Sequence, residues 1–119
     1  MKHAEFLKSL GATHVLDRRL PAASLRSEIK RIADAPIEYV YDAISSEETQ
    51  EFGYDLLASG GSLAVVLPVK VMTKVDDKTV FYVIGFRNRP ENREILESLY
   101  SKLTRYLEED IIVVCSIFF

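Results

Sequence analysis

Apolar positions along the chain alternate between a helical and a strand-like period. Leu7 and Leu10 share one face of a helix over residues 3–10, and Gly11 stands where a left-handed C-terminal stop belongs. His14-Val15-Leu16 then predicts a short strand over 13–17 that closes on Asp17. After the polar turn Arg18-Arg19-Leu20-Pro21, Leu25, Ile29 and Ile32 recur at helical spacing to about residue 33. Pro36 blocks further helix, and Ile37-Glu38-Tyr39-Val40-Tyr41-Asp42 is rich in β-formers. Ser45 and Glu48 have capping-box spacing and predict a third helix, with Phe52, Leu56 and Leu57 as its buried stripe. Gly60-Gly61 is expected to end that helix.

The next run, Ser62 to Leu67, is almost wholly apolar, as expected of a strand covered by helices on both faces. Pro68 stops it, and a charged loop with Asp76, Asp77 and Lys78 leads to a strand over Thr79–Ile84, closed by Gly85. Pro90 opens the last helix, where its missing N–H costs nothing, and Leu96, Leu99, Leu103 and Leu107 are spaced to face inward. Strands separated by helices predict an α/β fold with a parallel sheet and right-handed crossovers. No internal repeat or low-complexity linker interrupts it.

Composition narrows the classes. At 119 residues the chain is one domain at most, and 48% hydrophobic with 28% charged residues is a globular balance. A formal charge of −3 without a basic stripe argues against nucleic acid as partner, and the six tyrosines show no stacking pattern. Cys115 is the single cysteine, which excludes an internal disulfide and a multi-cysteine metal site and fits a reducing, cytoplasmic setting. No apolar run approaches the ~20 residues of a membrane span, and no leader peptide is expected from the opening residues. His14 alternates with strand neighbours and is expected to be a partly buried packing residue. Glu108-Glu109-Asp110 is expected to be solvated, since an acidic helix end opposes the helix dipole.

Four segments in order carry a resemblance: KHAEFLKSLGATHVLDR at 2–18, IEYVYDAIS at 37–45, YDLLASGGSLAVVLP at 54–68 and TVFYVIGF at 79–86. Together they resemble the cofactor domain of the medium-chain dehydrogenases/reductases, in the zinc-binding-dehydrogenase-like and fungal trans-enoyl-reductase-like branch. The resemblance implies a partial NAD(P)-binding, Rossmann-like three-layer domain over residues 1–112, with strands three to six of the sheet and without the first two. Residues 113–119 form a divergent apolar tail where the family continues for another strand, helix and strand. The stretch from Ile111 to Phe119 has Ser116 as its one polar residue. It reads either as a filler of a sheet edge or as read-through into non-coding sequence.

Family members hold the pyrophosphate on a glycine-rich turn at a helix N-terminus, and no such motif occurs here. The resemblance does not extend to the lobe that carries the substrate pocket, proton relay and any zinc ligands, so it implies neither a catalytic residue nor a zinc site in these residues. Without strands one and two, a gap of roughly 14 Å would separate strand 13–17 from strand 37–42. The shorter strand is therefore expected either to move across and pair or to stay poorly fixed. By resemblance, Arg18 and Arg19 would meet the adenosine 2′-phosphate of NADP(H), with Lys2 and His3 beside it; otherwise all four are solvated surface residues. Ala43, Ile44 and Ser45 would border the ribose or adenine side, although Ser45 has the competing role of helix cap. Val66, Leu67 and Pro68 match the segment whose backbone meets the nicotinamide carboxamide, and Ile84, Gly85 and Phe86 match the next one.

The implied function is a fragment of the cofactor domain of an NADPH-dependent oxidoreductase. The whole protein would pass hydride to an activated double bond, a quinone or another carbonyl of a small-molecule substrate. The alternative is a non-catalytic α/β interaction domain that forms homo-oligomers through a sheet edge and the tail.

Overall fold

A computed structural model of the chain describes residues 3–71, 77–86 and 88–112. The chain divides into two compact units, Met1–Val83 and Ile84–Phe119. The first unit contains α1 (Ala4–Ser9), α2 (Ala22–Ile32), β1 (Tyr39–Asp42), α3 (Glu47–Leu56), β2 (Ser62–Val65) and β3 (Thr79–Tyr82). Its three strands lie in the order β1-β2-β3 and are all parallel, so the expected α/β class with a parallel sheet is present. The register aligns Asp42, Val65 and Tyr82, which sets the carboxyl ends of all three strands in one row.

The core is small and sits under α3. Tyr54, Leu57, Leu63, Val65 and Val71 are buried, with Ile37, Val40, Val69 and Val80 packed against them. The buried stripe of α3 is Gln50, Gly53 and Tyr54, not the expected Phe52 and Leu56, which are half-buried; of the expected set, only Leu57 at the helix end is fully buried. Gly53 explains that rotation. A Cβ there would lie 3.1 Å from Val40 Cγ1 and 3.3 Å from Leu63 Cδ1, so the helix rests on the sheet at its narrowest side chain. Phe52 instead stacks under the Arg26 guanidinium of α2, 5.4 Å away, and Arg26 also pairs with Asp55 at 3.0 Å. Leu25, Ile29 and Ile32 of α2 are half-buried.

Three expectations about local structure are corrected. Residues 13–17 are not a strand and do not pair with β1, since a ladder needs a partner strand about 4.8 Å away and β1 is partnered on its β2 side alone among the described residues. His14 is exposed, its Nδ1 lying 3.3 Å from Thr13 Oγ1, rather than partly buried. Gly60-Gly61 does not end α3, whose C-cap is Leu57; Gly60, at φ 78°, turns the chain into β2 and donates its N–H to Asp77 O. The stop at Gly11 is as expected, with φ 101° and its N–H bonded to Lys8 O. Leu7 and Leu10 of that first helical turn are nevertheless exposed.

In the second unit, Pro90–Asn92 form one 3₁₀ turn that leads into α4 (Arg93–Glu108). Its Leu96 and Leu103 are half-buried, while Leu99 and Leu107 are exposed, so the expected inward row is not fully covered among the described residues. The tail from residue 113, Cys115 included, and Asp76 in the charged loop lie outside the described residues. No helix of the described residues is long and apolar enough to cross a membrane.

Candidate functional site

In an open parallel sheet, ligands bind where the strands end, because the loops there diverge and leave a crevice. Two of those loops, 43–46 after β1 and 66–71 after β2, are joined by a buried polar network. Asp42, the last residue of β1, accepts from Ile44 N at 2.9 Å and Ser45 N at 2.8 Å on Oδ1, and from the Thr49 hydroxyl at 2.7 Å on Oδ2. These bonds fold the loop back on its own strand and hold Ser45 at φ 57°, a left-handed conformation that costs a residue with a Cβ about 1–2 kcal/mol.

Ser45 is fully buried. Its Oγ donates to Asp42 O at 2.7 Å and accepts from Val66 N at 2.8 Å, which ties the start of the second loop to the first. Gln50 is likewise fully buried on α3, one turn into the helix. Its Nε2 donates to Ser45 O at 2.9 Å and Pro68 O at 3.1 Å, and its Oε1 accepts from Lys70 N at 2.8 Å. Every buried side-chain polar atom of the described residues has a partner.

Ser45 is therefore not the helix cap. Ser46 caps α3, accepting from Thr49 N at 3.2 Å, because the left-handed turn at Ser45 withdraws its hydroxyl from the helix end. The outward positions of the two loops are small or apolar: Ala43, Ile44, Leu67 and Pro68 are exposed and Val66 is half-buried. Ala43, Ile44, Val66, Leu67 and Pro68 thus form one rim around the buried Ser45. Gln50, Thr49 and Asp42 were missed as its scaffold. The signal for Gln50 was a polar residue in register with Gly53, Tyr54 and Leu57 on the inward face of α3.

Arg18 and Arg19 are exposed, and no hydrogen bond or ion pair links them to the rim among the described residues. Arg19 is engaged by its neighbour: its guanidinium lies 2.7 Å from Asp17 Oδ2 and 3.1 Å from Oδ1, and its backbone N–H donates to Oδ1 at 3.0 Å. These bonds hold the Asp17 carboxyl well below the usual carboxylate range. The pairing is thus kept above the ordinary carboxylate pKa and is lost only as pH falls through the lowered one. His3 precedes α1 with an exposed side chain, and Lys2 lies outside the described residues. Ile84, Gly85 and Phe86 belong to the second unit, where Asn92 Nδ2 donates to Ile84 O and, at 3.0 Å, to Phe86 O.

A nicotinamide dinucleotide can be tested against these groups. Exposed small and apolar residues at a parallel-sheet rim suit the face of a nucleoside or a nicotinamide ring. The pyrophosphate is not provided for, because the Ile44 and Ser45 amides are already committed to Asp42. The described residues fit part of the cofactor. No three His, Cys, Asp or Glu side chains among them come together as metal ligands.

A parallel sheet with helix α3 packed on it, and a built rim at its carboxyl edge, defines a Rossmann-like α/β protein. Among solved structures the chain is similar to benzyl alcohol dehydrogenase from Acinetobacter calcoaceticus, with 27% identity and a TM-score of 0.56 over 85% of this chain and 30% of that one. This likeness supports the medium-chain dehydrogenase/reductase superfamily, and the chain spans less than a third of that dehydrogenase. No family model matches the chain, and no curated protein matches its sequence.

Proposed function

We propose that this chain is part of the cofactor-binding domain of an NADPH-dependent oxidoreductase of the fungal trans-enoyl-reductase-like branch. In the whole protein the nicotinamide would pass hydride to an activated double bond, a quinone or another carbonyl. The chain itself contributes a stretch of cofactor wall and no catalytic side chain. It works in the cytoplasm and uses no zinc. The observation that carries the reading is the rim of Ala43–Ser45 and Val66–Pro68, built at the sheet edge of a chain 27% identical to an alcohol dehydrogenase. Arg18, with its guanidinium exposed, is the better candidate for the 2′-phosphate, since Arg19 must first leave Asp17.

Titration of the full chain with NADPH and NADH, followed by amide NMR, tests this. Millimolar NADPH shifts the amides of Ala43, Ile44, Val66 and Leu67, and NADPH alone also shifts Arg18. Shifts confined to other residues, or none at all, would sink the rim as a cofactor site. A micromolar dissociation constant would overturn its partial character, because tight binding requires the pyrophosphate donors that these loops lack.

A second reading, a non-catalytic interaction domain, draws on the sheet face that bears Tyr39, Tyr41 and Phe81, which is exposed among the described residues. It predicts a concentration-dependent mass by light scattering and no response to either nucleotide.

A further inference from the structure

We infer that Gln50 is a positioning residue, a latch that holds the loop after β2 against the loop after β1 so that the rim exists before any ligand arrives. The inference rests on the reading of that rim as a cofactor wall and adds the device that shapes it.

Gln50 is on the helix between the two strands, so one side chain reaches both loops. All three of its bonds go to backbone: two N–H bonds to the carbonyls of Ser45 and Pro68, and one acceptor for Lys70 N. A purely packing residue at this inward position would be apolar, as Tyr54 and Leu57 largely are on the same face. Burying a primary amide is favourable only when its hydrogen bonds are made, so the side chain is fixed by the loops and the loops by the side chain. Ser45 supplies a second, separate pin, through Val66 N. The two pins act on different residues of the second loop: Ser45 on Val66, and Gln50 on Pro68 and Lys70. Cutting one should free its own part of the loop and spare the rest.

Hydrogen exchange of the full, ligand-free chain tests this directly. Gln50→Met keeps length and shape but removes all three bonds. The Lys70 amide should then exchange about tenfold faster, while the β2 amides keep their rates. An unchanged Lys70 rate would overturn the latch. So would an equal acceleration of Lys70 and β2, which would make Gln50 a core residue whose loss loosens the whole unit.

If Gln50→Met fails to fold, Ser45→Gly decides, since glycine accepts the left-handed backbone at 45 without strain. Here the Val66 amide should accelerate about tenfold and Lys70 should not; acceleration of both, or of neither, would show that the pins are not separate. The cofactor reading fails independently: NADPH that leaves the wild-type rim amides unmoved removes the ligand, whatever the exchange rates show. With a cofactor bound, Gln50→Met should reduce the NADPH-induced shift at Leu67, next to the freed Pro68, and keep those at Val66 and Ala43.

Discussion

The two faces of the three-stranded sheet are made from adjacent residues of the same strands, yet they meet different fates. Val40 and Asp42 of β1, Leu63 and Val65 of β2, and Val80 of β3 point toward α3, and Leu63 and Val65 are fully buried. The alternate residues, Tyr39, Tyr41, Ser62, Ala64, Thr79 and Phe81, share the opposite face. There Tyr39 is 80% exposed, Tyr41 65% and Phe81 47%. Both faces are apolar enough to pack. What separates them is that the β1–β2 crossover places a helix over one face, and no element of the first unit covers the other among the described residues. Burial in a parallel sheet is thus decided by crossovers rather than by strand composition, and the side-chain alternation only tells which residues share a fate.

The covered face should carry nearly all the stability, and the largest test is at its centre. Leu63→Ala removes a fully buried side chain beneath α3 and is expected to cost about 3–5 kcal/mol in urea unfolding, because the rigid strand on one side and Gly53 on the other limit collapse into the cavity. A loss of well under 1 kcal/mol would mean that this face is no more of a core than the other. Next in size, Gly53→Val overfills the contact that lets α3 lie flat. Its Cβ would stand 3.1 Å from Val40 Cγ1, and the helix has to lift, at about 1–3 kcal/mol. Smaller again, Ser46→Ala removes the cap of the covering helix and should cost about 1 kcal/mol, whereas Ser45→Ala leaves the cap intact.

How much of this was legible follows the same division. The alternation of helices with short β-rich runs was sufficient for the α/β class and the parallel sheet, since both depend on local pattern and chain order. The run from Ser62 to Leu67 was read as covered on both faces because its residues are apolar throughout. Its covering is a tertiary matter, and only the α3 side has it among the described residues. Residues 13–17 had strand-like chemistry but found no partner, a property of the rest of the sheet and not of His14, Val15 or Leu16. The loops at 43–45 and 66–68, singled out by resemblance, adjoin at the carboxyl edge of the sheet. Their scaffold was not legible, because an inward Gln50 looks like any polar helix residue until the loops that it bonds are in view. Ser45 looked like a cap for the same reason. Serine before an acidic helix start has two neighbours able to cap, and the backbone sign at 45 chooses Ser46.

The smallest expected effect is the most discriminating for the face that α3 does not reach. Tyr41→Thr keeps a residue favoured in strands and removes an aromatic ring from the row that Tyr41 shares with Ala64 and Phe81. With the ring 65% exposed, little area leaves water on folding, so urea unfolding should shift by no more than about 0.5 kcal/mol. The same substitution on a covered face would cost several times as much, by the burial of an aromatic side chain. A loss above about 1.5 kcal/mol at Tyr41 would therefore show that something packs on this face in solution. Repeating the measurement over a range of protein concentration tells what. A cost that grows with concentration means a second copy of the chain, and a constant cost means a segment of the same chain. A null effect at every concentration leaves the sheet one-sided, with its stability and the rim at its carboxyl edge both held by α3.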